Sequence, residues 1–290
     1  KRRVDFARNI DPALADWIAA DVAFPSTMVD RITPAATEAT LAEAQALTGT
    51  EDHAAVETET FFPWVIEDDF PQGRPAWETA GVIFTEDVPA FEAMKLRMLN
   101  GSHSMLAYAG FHAGLPFVRD VMAHAPMAKL VRRHLAAAAA TLPPIPGIDL
   151  IAYADALAAR FENPGIAHET FQIAMDGSEK MPQRIFSAVP DARTHGVKIR
   201  PFAFATAAWA RHISMATHDC VPYALLDPRA EDLRALAEGQ DADTIVTALR
   251  GAPFIPPDLF ADVDFWTVVE SILAEMLFEP MVDAIAREAS

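Results

Sequence analysis

Cysteine is nearly absent: Cys220 is the only one in 290 residues. That excludes an internal disulfide framework and a four-cysteine zinc site, and it points to a reducing, cytoplasmic setting. Closely spaced glycines are missing too, since none of the twelve lies two positions from another. The chain therefore holds no G-x-G-x-x-G dinucleotide turn, and it has no P-loop pattern. There is no G-x-S-x-G elbow and no H-E-x-x-H pair, and the nine histidines form no recognisable ligand set, so no metal is expected. No apolar run approaches the roughly 18 residues of a membrane span. The opening stretch, KRRVDFARNIDPALADWI, lacks the apolar core and cleavage site of a signal peptide. Positive charge is scarce: 23 Lys and Arg face 41 Asp and Glu, for a net charge of −18. Such a surface disfavours nucleic acid and anionic membranes as partners.

What is present is apolar enough, at 51%, to bury a sizeable core. Most of it is patterned as helix. Asp11-Pro12 reads as an N-cap and first turn within a helix over 5–21. Ser26-Thr27 could cap a turn over 28–32, and a helix followed by an acidic loop fills 34–60. Short strands are expected at 62–66 and 82–85, where aromatic and β-branched residues sit beside turn residues. Helices are then expected over 91–109, 113–123, 126–141, 150–162, 165–178, 201–217, 228–250 and 264–288, with breaks at Asn163-Pro164 and near Pro280.

The most informative stretch is FEAMKLRMLNGSHSMLAYAG, residues 91–110. Lys95, Asn100 and His103 fall within roughly a 140° arc of an α-helix. A desolvated Lys can serve as a base, while an Asn amide and an imidazole can stabilise an oxygen on which charge develops. The same three residues also fit a solvated lysine, a kink or cap, and a core histidine. Gly101 in mid-helix implies close backbone approach or a tight helix crossing. Lys180 and Arg184 suit a polyhydroxyl or carboxylate ligand, or a solvated basic face. Asp30 fits a cap or a surface pair with Arg31, and Glu67-Asp68-Asp69 a solvated turn. His212 reads as structural and Cys220 as an inert thiol.

KLRMLNGSHS resembles the catalytic segment of the mannitol dehydrogenase family, the long-chain polyol-specific dehydrogenases and reductases. AFPSTMVDRITPA at 23–35, WVIEDDFP at 64–71, GRPAWETAGVIFTEDV at 73–88 and FQIAMDGSEKMPQR at 171–184 follow in family order. The resemblance implies roles for particular residues. Lys95 is the general base, and Asn100 and His103 polarise the reacting oxygen. Glu92 lies on a proton path to solvent, and Lys180 reaches substrate hydroxyls. Asp30 belongs to the active-site and cofactor surroundings, with Glu67 and Asp68 bordering them. Gln172 stands where mannitol enzymes carry Arg, which favours the D-mannonate/D-fructuronate branch over D-mannitol/D-fructose.

The resemblance further implies a mainly α, multihelical fold like the 6-phosphogluconate dehydrogenase C-terminal domain, with a small β element near 61–88. It implies a single substrate-binding and catalytic domain over 1–290, acting on a small sugar acid or polyol with NAD or NADP. Because the family's nucleotide-binding domain precedes the FPSTMVDR segment, the N-terminal Rossmann domain is expected to be missing, to be the chain's natural partner, and its loss to leave this chain inactive alone. A non-catalytic helical binding or assembly domain is the alternative from another class, opposed by the presence of Lys95, Asn100 and His103.

Overall fold

The computed structural model describes residues 2–215 and 223–290. Cys220 and the end of the helix expected over 201–217 lie outside them. The chain divides into two compact units, Lys1–Glu92 and Ala93–Ser290.

The first unit opens with α1 (Arg2–Arg8) and α2 (Pro12–Asp21). Asp11 accepts from the amides of Ala13 and Leu14, and Pro12 takes the first helical position, where no N–H is needed. The turn expected over 28–32 is instead a strand, β1 (Thr27–Val29). It exists because Thr27, Met28 and Val29 pair antiparallel with Ile66, Val65 and Trp64 of β2 (Trp64–Glu67). No local signal announces a partner so far along the chain. Between them α3 (Glu38–Thr48) is capped by Thr37 and stops at Gly49, whose φ of 72° suits glycine. β3 (Val82–Thr85) runs parallel to β2 and completes a sheet of order β1-β2-β3. Trp64, Trp77 and Phe84 stack in series with Phe70 at their edge, and the Arg74 guanidinium lies 3.4 Å from the centre of the Phe84 ring.

The boundary between the units falls inside α4 (Val88–Met94). Residues Lys95–Asn100 then widen into a π-helical turn, in which Gly101 N–H reaches back to Leu96 C=O, before α5 (Gly101–His112) resumes. Residues 101–110 are all buried. A helix without a polar face belongs in the middle of a protein, and the neighbours of α5 in its unit include α6 (Val118–Ala123), α7 (Ala125–Ala140), α9 (Thr170–Ile173), α10 (Gly177–Arg184) and α12 (Arg200–Ile213). Small residues allow the approach: a Cβ on Gly101 would sit 2.9 Å from Arg184 C=O and 3.3 Å from His134 Nε2. The mid-helix glycine thus marks a close crossing.

The rest of the unit completes the bundle. α8 (Leu150–Phe161) starts at Asp149, which caps the Ile151 and Ala152 amides. The helix expected over 165–178 is cut short. His168 C=O accepts from Val118 N–H and Thr170 N–H donates to Pro116 C=O, so this stretch stays extended, bridged to residue 117, until the four-residue α9. Next come α11 (Val189–Thr194), α13 (Ala230–Ala237), α14 (Ala242–Arg250), α15 (Pro257–Ala261), α16 (Val263–Phe278) and α17 (Met281–Ala289). Gly239, at a φ of 71°, follows α13 and separates it from α14, the two lying within the helical stretch expected over 228–250. Among the described residues no helix is long and apolar enough to cross a membrane.

Candidate active site

The π turn rearranges the trio read from spacing. In an α-helix five residues overshoot one turn by about 140°. In a π turn the bonds run from i to i+5, so Lys95 and Asn100 stand nearly one above the other. His103 follows one α turn later. Lys95 and Asn100 are half-buried, whereas His103 is 6% exposed. Glu92, three residues before Lys95, is exposed.

His103 sits among aromatic rings and cations. Phe161 lies 4.6 Å from it centre to centre, and His168 stands perpendicular at 5.4 Å. Burial holds the His103 imidazole far below its usual pKa, assisted by His168, Arg184 and Arg160. It is therefore neutral at physiological pH, and its buried Nε2 has no hydrogen-bond partner. Such an atom carries a desolvation cost of about 1–3 kcal/mol unless a ligand or water satisfies it.

α10 supplies the cations. Asp176, just before it, adopts a left-handed conformation with φ 57°, tolerable for an Asp but uncommon. The Asp227 carboxylate accepts from Ser178 N–H (2.8 Å) and Ser178 Oγ–H (2.6 Å), fixing the start of the helix. Asp176, Lys180 and Arg184 then follow at four-residue intervals along one face. Lys180 Nζ is 3.5 Å from Asp176 Oδ2. Burial lowers the Lys180 pKa, with Arg184 adding to the effect and Asp176 opposing it. Arg184 Nη1 donates to Ser104 Oγ at 3.1 Å, an uncharged acceptor on α5. Gln172 is half-buried on α9. The structure thus brings Arg184 and His168 beside His103, and Lys180 beside His168, a residue that no sequence motif singles out. His168 had no periodic or motif signal; its place follows from the bridge to residue 117.

The first-unit candidates are already engaged. Glu67 Oε2 accepts from Ser26 N–H at 2.8 Å, and Asp68 holds Arg74 through two hydrogen bonds of 2.7 and 3.2 Å. That guanidinium keeps the Asp68 pKa below its usual value. Asp30 is wholly buried. His212 is a core residue as expected, accepting from the Tyr223 hydroxyl through its backbone carbonyl, beside His112. Among the described residues no three His, Cys, Asp or Glu side chains are grouped to hold a metal.

Residues 87–274 match the family model of the mannitol dehydrogenase C-terminal domain. The chain belongs to the mannitol dehydrogenase family. Residues 2–79 match that family's Rossmann-domain model. The chain is 42% identical over 243 residues to an uncharacterized oxidoreductase, YeiQ, of Escherichia coli (strain K12), covering 84% of this chain and 50% of the relative. It is 41% identical over 261 residues to D-mannonate oxidoreductase of the same organism, covering 89% and 54%. Among solved structures it resembles the ternary complex of Pseudomonas fluorescens mannitol 2-dehydrogenase with NAD and D-mannitol, with a TM-score of 0.86 and 34% identity over 98% of this chain and 58% of that one. The chain spans about half the length of the curated relatives it matches.

One expectation is overturned. This member of the mannitol dehydrogenase family is not a C-terminal domain lacking its Rossmann domain, because residues 2–79 match the Rossmann model. The expectation of an inactive fragment falls with that premise. The absent glycine pair misled because it tests only one turn of a Rossmann fold, while a strand such as β2 carries no such signature. As for a dinucleotide, β2 lies within the matched Rossmann residues, and the sequence contains no glycine-rich turn to cradle a pyrophosphate.

Proposed function

We propose that this protein is an NAD(P)-dependent oxidoreductase that interconverts a secondary alcohol and a ketone on a sugar acid, with D-mannonate and D-fructuronate as the pair. The observation that carries the reading is the placement of Arg184 beside the neutral, unpartnered His103, with Lys180 beside the neighbouring His168. In a chain of net charge −18, two cations drawn into a partly buried face favour an anionic ligand. The similarity to D-mannonate oxidoreductase supports the same substrate class.

In alcohol oxidation Lys95 takes the hydroxyl proton, and Asn100 donates from its amide to the oxygen as charge grows on it. His103, kept neutral by burial, donates from Nε2 to the same oxygen. Glu92, exposed on α4, passes the proton from Lys95 toward solvent. Lys180 and Gln172 hold distal hydroxyls, and Arg184 attracts the carboxylate. A bound nicotinamide supplies the hydride acceptor. Carbonyl reduction reverses these proton movements.

The second reading is the D-mannitol and D-fructose pair, favoured by the likeness to a mannitol-bound dehydrogenase. The test follows nicotinamide absorbance while D-fructuronate and D-fructose are offered in turn to wild type and Lys95→Ala. Faster turnover of fructuronate, lost in the variant, is the expected result. Preference for fructose moves the assignment to the polyol, and equal activity of the variant removes Lys95 from the chemistry.

A further inference from the structure

The His103 surroundings contain a second imidazole whose polar atom is unsatisfied. His168 is perpendicular to His103 at 5.4 Å, and its Nδ1 is buried without a hydrogen-bond partner. Its backbone is fixed by the Val118 N–H to His168 C=O bond and by the bridge between Phe117 and Glu169. Burial and the nearby Lys180 ammonium keep it neutral, with a pKa of about 4. A neutral imidazole offers one donor and one acceptor. Two perpendicular rings, each with a buried orphan nitrogen, and an ammonium close to one of them offer more hydrogen-bonding capacity than the protein itself uses. A single reacting oxygen would satisfy His103 alone. A polyhydroxylated chain, with an oxygen on each successive carbon, can satisfy both.

We propose that His168 is a substrate-binding residue whose Nδ1 takes a hydroxyl of the sugar chain on a carbon next to the reacting one, while His103 takes the reacting oxygen. The assignment rests on the alcohol–ketone reading of the site. It makes His168 a determinant of specificity for substrates carrying that neighbouring hydroxyl, because a buried polar group left unpaired penalises the analogue that lacks it. His168 takes no part in moving the reacting proton.

The experiment compares wild type, His168→Ala and His168→Gln in two measurements, calorimetric binding and turnover, for D-fructuronate and its 4-deoxy analogue and for D-fructose and its 3-deoxy analogue, each analogue lacking the chain hydroxyl next to the carbonyl. Loss of one hydrogen bond to an uncharged partner predicts a KM and Kd about tenfold higher in His168→Ala, with kcat within about threefold. Each deoxy sugar is expected to bind about tenfold more weakly than its parent in wild type and equally to it in His168→Ala, with partial recovery in His168→Gln. Unchanged KM and Kd in His168→Ala, or a deoxy penalty that persists in full in the variant, overturns the proposal. So does a loss confined to kcat. Wild type that binds the sugars through His168 but turns over neither keeps the binding assignment and removes the oxidoreductase reading. Turnover that ignores His168 does the reverse. If His168→Ala fails to fold, the smaller change in His168→Gln, checked by circular dichroism, decides.

Discussion

The two units of this chain treat their polar side chains in opposite ways. In the first unit the acidic groups that looked functional are occupied by protein. Asp68 grips Arg74, Glu67 accepts from Ser26, and the buried Glu59 accepts from Ile32 N–H at 2.6 Å. In the second unit His103, His168, His134 and His112 each hold a buried ring nitrogen with no partner. Among the described residues, every such orphan lies in the second unit. Burying a polar atom without a hydrogen bond costs free energy, so a fold keeps such atoms where packing allows no alternative or where a ligand completes them. Conspicuous acids at a strand end turned out to be braces, and inconspicuous histidines turned out to face one another.

The comparison breaks most sharply at Lys95. General-base catalysis contributes roughly 10²–10⁴-fold, so Lys95→Ala is expected to lower kcat by that amount with unchanged circular dichroism. A variant within threefold of wild type would return the site to the first unit. Next in size is Gly177→Ala. The added Cβ would lie 2.3 Å from Trp209 Nε1 and 2.8 Å from the Tyr108 hydroxyl, both on buried rings. Overpacking of this kind costs about 1–3 kcal/mol, to be read as a lower midpoint in urea. Because Gly177 opens α10, KM should rise as Lys180 and Arg184 shift. A normal midpoint would show that the α10 approach is looser than described.

Acid should act on the second unit through its neutral histidines. His134 and His168 have pKa values of about 4, set chiefly by burial, against 6.5 for an unburied histidine. Below pH 6.5 the unfolded chain takes up protons that the folded one refuses. Stability is therefore full above pH 6.5 and falls between 6.5 and 4, by about 1.4 kcal/mol per pH unit for each histidine. Melting temperatures measured from pH 7.5 to 4.5 should show this decline, and His134→Gln should make it shallower. An identical slope in the variant would mean that His134 does not contribute. The smallest effect is reserved for Asp68→Asn, which should leave kcat and KM unchanged if Asp68 only braces Arg74 beside Phe84. A tenfold loss of turnover there would bring the first unit's acids back into the chemistry.

Much of this was readable from local sequence. Asp11-Pro12 and Asp149 cap helices because a carboxylate next to free amides is a local arrangement. The long motifs in 23–184 were enough to name the family that the C-terminal model match establishes. Lys95, Asn100 and His103 were visible because they lie on one continuous helix. What local sequence could not supply depended on distant partners. β1 needed β2, some forty residues away, and the extended stretch at His168 needed residues 116–118. The Rossmann match was hidden because the single glycine signature looked for is absent. The π turn that aligns Lys95 with Asn100 also left no mark in the spacing, since α and π turns differ by one residue in their bonding and only the surrounding packing selects between them. Sequence by itself determined most of the helices, their caps and the candidate residues of the site, because each is set by neighbours within a turn or two. Tertiary structure alone decided which charges are paired and which nitrogens stay unsatisfied, because burial and hydrogen-bond partners come from chain segments far apart in sequence.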